Sequence, residues 1–116
     1  MIFDPEIYCS AAEVAELDGT EPLPLTGSGL WVGVLSRGVC LLDGFDRPGQ
    51  SGDILLGAPP LTLTPETDCH LLGVRLAGRC TDAYLLQLGA PRWADGAACP
   101  GAAELIAQLH GIHTAA

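Results

Sequence analysis

Between residues 30 and 76 the chain repeats one device: a short run rich in leucine, valine, isoleucine or tryptophan, closed by a cluster of glycine, proline, aspartate or serine. The runs cover 30–35, 39–42, 53–56, 61–64 and 69–76. Between them stand Arg37-Gly38, the turn-rich stretch 43–52, Gly57-Ala58-Pro59-Pro60 and Pro65-Glu66-Thr67-Asp68. None of these runs reaches the length of a packed helix, and β-branched and aromatic side chains suit a pleated surface. Five or six short strands at even spacing predict a sandwich or barrel and disfavour a βαβ layout, which needs helices between strands. Residues 30–42 read as a hairpin turning at Arg37-Gly38. Residues 61–64 alternate Leu and Thr as a half-buried strand does.

The flanks read differently. Residues 1–29 form an arm with a short strand over 6–10, an Ala/Glu stretch, and Thr20-Glu21-Pro22-Leu23-Pro24-Leu25, whose prolines cannot donate to a central ladder. Beyond Gly78 the spacing becomes helical. Thr81 or Asp82 caps a first helix carrying Tyr84, Leu85 and Leu88 and ending at Gly89. After a loop over 90–100, a second helix over 102–109 places Leu105, Ile106 and Leu109 on one face, with Gly111 as its stop. One domain is expected over residues 1–116: an arm over 1–29, a barrel core over 30–78 and a helical segment over 79–116.

Charge narrows the partners. Fourteen carboxylates face five basic residues, all arginine, for a net charge of −9. Affinity for phosphate backbones and anionic lipid comes from Lys and Arg, so nucleic acid contact by this segment is not expected. No apolar run approaches the roughly 18–20 residues of a membrane span. With no basic-then-apolar leader pattern in the first residues, a cytoplasmic location is expected. The five cysteines (Cys9, Cys40, Cys69, Cys80, Cys99) are odd in number and lack a CxxC pair, which suits reduced thiols acting as small hydrophobes.

Three stretches, Trp31-Val-Gly-Val-Leu-Ser-Arg-Gly38, Gly52-Asp-Ile-Leu-Leu-Gly-Ala-Pro-Pro60 and His70-Leu-Leu-Gly-Val-Arg-Leu-Ala-Gly78, resemble the N-terminal effector-binding cupin of AraC-type transcription regulators. The resemblance implies a mainly β cupin, a double-stranded β-helix or jelly-roll-like barrel, followed by two short C-terminal α-helices. It also implies a lumen that holds a small-molecule effector such as a sugar or metabolite, and an outer helical face that makes a homodimer, here Tyr84, Leu85, Leu88, Leu105, Ile106 and Leu109. The family's regulators continue into a basic helix-turn-helix region, and nothing of that composition stands in these residues. An excised sensor and a free-standing relative both fit.

Metal-dependent cupins carry histidines in the hairpin region and after the Pro-Pro turn. Residues 14–50 hold no histidine and Pro60 is followed by Leu61, Thr62, Leu63 and Thr64. Neither a metal site nor a cofactor is expected, because a divalent cage needs three or more converging N, O or S donors. His70 lies beside Cys69, and neighbours in a strand point to opposite faces, so the two make no catalytic pair. A satisfied or surface histidine is expected there, and solvated ones at His110 and His113. No enzyme is expected.

For a ligand, four residues stand out. Arg75 interrupts an apolar strand on the face of Cys69, Leu71 and Gly73, where its guanidinium forks onto a carboxylate or hydroxyls, or else sits at the rim paired with Asp68 or Glu66. Trp31 offers a stacking wall or plain core packing. Thr62 and Thr64 share one strand face, lumen or exterior. Trp93 anchors its loop or a dimer contact. The expected function is a small-molecule-sensing, dimerising domain of an AraC-like regulator. The alternatives are a metal-free, isomerase-like cupin enzyme and a structural dimerisation module with a closed barrel.

Overall fold

The computed structural model describes residues 10–77 and 91–115. Eight strands and one helix follow in chain order: β1 Ser10–Gly19, β2 Leu23–Leu25, β3 Leu30–Arg37, β4 Cys40–Leu42, β5 Ile54–Gly57, β6 Leu61–Pro65, β7 Cys69–Ala77, β8 Arg92–Ala94 and α1 Ala102–Ala115. The strands form two antiparallel sheets, a large one ordered β1-β7-β3-β5-β8 and a small one ordered β2-β6-β4. The fold is therefore mainly β, as expected. It consists of two facing sheets instead of one sheet closed on itself. Up to β7 the odd strands lie in the large sheet and the even strands in the small one.

That alternation corrects the hairpin. β3 and β4 do not pair; β3 lies between β5 and β7, and β4 pairs with β6. Gly38 makes the crossing, with φ of +91° and a backbone so close to β7 that a Cβ there would sit 2.9 Å from Cys69 Cα. A chain forced across at that point cannot fold back on its own strand.

The arm is also more regular than the sequence suggests. Helix-favouring Ala and Glu at 11–16 are overridden by pairing with β7, where Val14 faces Val74 and Leu17 faces Leu71. β1 is the edge of the large sheet, and Glu13, Glu16 and Asp18 blunt that edge. Pro24 is tolerated because β2 is the edge of the small sheet. The expected loop over 90–100 instead contains β8 and a 3-10 turn, Gly96–Ala98, capped by the Asp95 carboxylate accepting from the Ala97 N–H at 3.0 Å. α1 runs through Gly111 to Ala115; a glycine costs a helix about 1 kcal/mol, which does not stop one already propagating. The strand expected over 6–10 and the helix carrying Tyr84, Leu85 and Leu88 lie outside the described residues, apart from Ser10, which opens β1.

Two apolar layers result. Leu17, Leu25, Trp31, Leu35, Leu55, Leu63, Leu71 and Trp93 fill the space between the sheets. On the other face of the large sheet, Leu30, Val32, Ile54, Leu56, Val74 and Leu76 pack against Ala102 and Ile106 of α1. The large sheet is thus covered on both sides, which explains its near-continuous apolar strands.

Candidate functional site

The four expected ligand residues do not converge. Trp31 is 1% exposed, and its indole N–H donates to the Thr26 carbonyl at 2.8 Å. Its ring lies against Gly73, where a Cβ would stand at an ordinary contact of 3.6 Å from the Trp31 ring, so the space beside that glycine is taken by the indole and not left for a ligand. Arg75 does share the inward parity of Leu71, but it sits at the sheet's end. Its Nε donates to Glu13 at 2.9 Å and its Nη1 to the Ser28 carbonyl at 2.9 Å. The rim ion pair is therefore present, with Glu13 as partner in place of Asp68 or Glu66. The indole N–H of Trp31 and Nη1 of Arg75 are thus both spent on carbonyls of the β2–β3 loop.

Thr62 and Thr64 lie on the exterior. Leu61 and Leu63 take the inward positions of β6, leaving Thr62 half-buried and Thr64 exposed. There they line an open groove of about 440 Å3 together with Leu41, Leu42, Asp43, Gly44 and Phe45. A second open cleft of about 430 Å3 lies beside the start of α1 and gathers Asp53, Asp95, Cys99 and Glu104. Asp53 is committed there to structure, accepting from Arg47 Nη1 at 2.7 Å and from the Gln50 N–H at 2.8 Å. Trp93, read as a loop or dimer anchor, belongs to β8 and is 3% exposed in the inter-sheet core.

Of the expected dimer face, the structure describes the part on α1. Ile106 is fully buried in the chain's own core, and Leu105 and Leu109 pack partly against the same cluster. Ile112, 60% exposed, is the large apolar side chain that α1 leaves to solvent. Tyr84, Leu85 and Leu88 lie outside the described residues.

Among the described residues Cys40, Cys69 and Cys99 are buried free thiols. Burial, reinforced by neighbouring Cys69, pushes the Cys40 thiol up to about 12, and burial also raises Cys99. Neutral thiols of this kind are packing groups, not nucleophiles. No group of three or more potential metal ligands occurs among the described residues.

One polar constellation escaped sequence reasoning. Ser36 of β3, His70 of β7 and Glu16 of β1 meet on the helix-side face of the large sheet, beyond the apolar layer. Ser36 Oγ lies 2.7 Å from His70 Nδ1, and His70 Nε2 lies 3.1 Å from Glu16 Oε2. A β-bulge between Leu35 and Arg37 turns Ser36 toward the histidine. His70 is indeed satisfied and partly exposed, as expected, but its partners are 34 and 54 residues away in sequence. Only the β1-β7-β3 pairing brings them together, so no local signal marks them. Next to them Arg37 bridges Asp18 at 2.9 Å and Asp68 at 3.3 Å. The hydrogen bond that Arg37 donates to Asp18 holds the guanidinium proton more tightly than usual.

No protein-family model, curated protein or solved structure matches this chain. No helix among the described residues is long and apolar enough to cross a membrane.

Proposed function

We propose that the chain is a small-molecule-responsive regulatory domain of the AraC-like sensory kind, folded as a wound cupin-type sandwich, whose ligand seats in the groove outside the small sheet. The alternation of strands between sheets supports the wound topology. The observation that carries the ligand reading is the meeting of Thr62, Thr64, Asp43 and Phe45 around about 440 Å3 of open space, within the roughly 300–1,000 Å3 usual for small-molecule seats. Hydroxyls that donate and accept, a carboxylate that accepts and one aromatic face suit a polyol or another neutral, hydroxyl-rich metabolite. The net charge of −9 disfavours an anionic ligand and direct contact of this segment with DNA. Such a ligand acts by its difference in affinity between two arrangements of the domain or of its dimer.

A thermal-shift screen of sugars and neutral metabolites tests this, run on the wild type and on the Thr62→Val/Thr64→Val double variant. A compound that raises the wild-type melting temperature and loses that effect in the double variant is the expected result. Stabilisation that survives the double change sinks the groove as the seat. The packed inter-sheet space favours a second reading, a structural interaction module, and a screen without hits would support that reading instead.

A further inference from the structure

We propose that Ser36 is a nucleophile activated by His70 and positioned through Glu16, and that it is acylated by small activated esters. This site lies on the large sheet and is independent of the groove on the small one.

The proton positions follow from the geometry. An ionised carboxylate only accepts, so at 3.1 Å from Glu16 Oε2 it is His70 Nε2 that carries the hydrogen. In the neutral ring this leaves Nδ1 with a lone pair, and the Ser36 hydroxyl, 2.7 Å away, donates to it. Serine, base and orienting carboxylate thus stand in hydrogen-bonded sequence, the arrangement that activates a serine hydroxyl. Ser36 Oγ also lies 3.1 Å from the His70 carbonyl oxygen. When the ring is doubly protonated, Nδ1–H donates to Oγ and the serine proton turns to that carbonyl, which disarms the nucleophile. Asp18 stands opposite His70 in the ladder but is engaged by Arg37 at 2.9 Å. Glu16 is therefore the carboxylate that orients the ring.

The reaction balances without a further reagent. Oγ bonds to the acyl carbon while its proton passes to Nδ1. The carbon–oxygen bond to the leaving group then breaks, and the alcohol or phenol departs with that proton. Water attacks the acyl-serine with His70 again as base, which releases the carboxylic acid and restores Ser36. The His70 side chain is 27% exposed and Glu16 49%, so the site is open to small esters and solvent. General-base assistance alone contributes about 10²–10⁴-fold, and the lower end is expected for a site this open.

The test uses the full chain with p-nitrophenyl acetate, following phenolate release and locating the acetyl group by peptide mass spectrometry. The expected result is acetylation at Ser36, with release slowed about 10²-fold in Ser36→Ala and in His70→Gln. Glu16→Gln, a change at a positioning residue, should slow release less, and through kcat and not KM, because the ring loses the acceptor that fixes its tautomer and orientation. All three positions are at least partly exposed, and thermal melts verify that each variant is folded. Acetyl found elsewhere, or release unchanged in Ser36→Ala, overturns the proposal. So does a Glu16→Gln variant that keeps the wild-type kcat.

Discussion

Replacing Gly49 by alanine gives the sharpest check on how the two sheets are joined. Gly49 lies flat against the Trp93 indole, and a Cβ there would come within 2.6 Å of Cδ2 and 2.7 Å of Cζ2, well inside van der Waals contact. Neither side gives way cheaply. Gly49 is bound to Cys40 by backbone hydrogen bonds in both directions, at 2.7 and 3.0 Å, and Trp93 is 3% exposed among core side chains. Overpacking of this kind costs about 1–3 kcal/mol. Gly73→Ala is the matched control. Its Cβ would meet Leu71 and Trp31 at 3.6 Å, an ordinary contact, and removing a strand glycine stabilises by about 0.5–1 kcal/mol. With an unfolding entropy of about 2.1 cal/mol/K per residue, 1 kcal/mol corresponds to about 4 °C in a chain of 116 residues. Thermal unfolding followed by circular dichroism should show Gly49→Ala lower by roughly 4–12 °C and Gly73→Ala higher by roughly 2–4 °C. A Gly49→Ala protein that melts at or above the wild type would refute the packing of the 46–52 loop on β8.

Ile106→Ala should destabilise by about 2–5 kcal/mol and leave the sedimentation behaviour unchanged, because Ile106 fills the chain's own core. Ile112→Glu, at a 60% exposed position, should leave the melting temperature within a degree or two; a change of oligomeric state in Ile106→Ala at full stability would instead restore the helix face as an interface. The Cys40 thiol predicts an alkaline limit. Its pKa is raised from 9.0 to about 12 in the folded chain, so its contribution is complete below pH 9. Above that only the unfolded chain ionises, and stability falls until about pH 12. Urea titrations between pH 8 and 11 should show a shallower decline for Cys40→Ala than for the wild type, and parallel slopes would contradict the burial of that thiol.

The strands over 54–57, 61–65 and 69–77 and the start of α1 were legible because their signals are local: apolar alternation and turn residues, and for the helix an apolar face at 3.6-residue spacing. The net charge of −9 was legible as well, since composition does not depend on the fold. What it did not reveal is pairing. Residues 30–42 look like a hairpin until the Gly38 backbone is pressed against β7, and residues 10–19 look like part of an irregular arm until β7 supplies a ladder for them. The candidate sites follow the same rule. Thr62 and Thr64 were visible as a pair on one face, but only the position of the second sheet decided that this face is the outside. Arg75 and Trp31 looked available until the β2–β3 loop took their donors. Ser36, His70 and Glu16 carried no local signal, because their meeting depends on the register of three strands remote in sequence, and only tertiary structure sets that register.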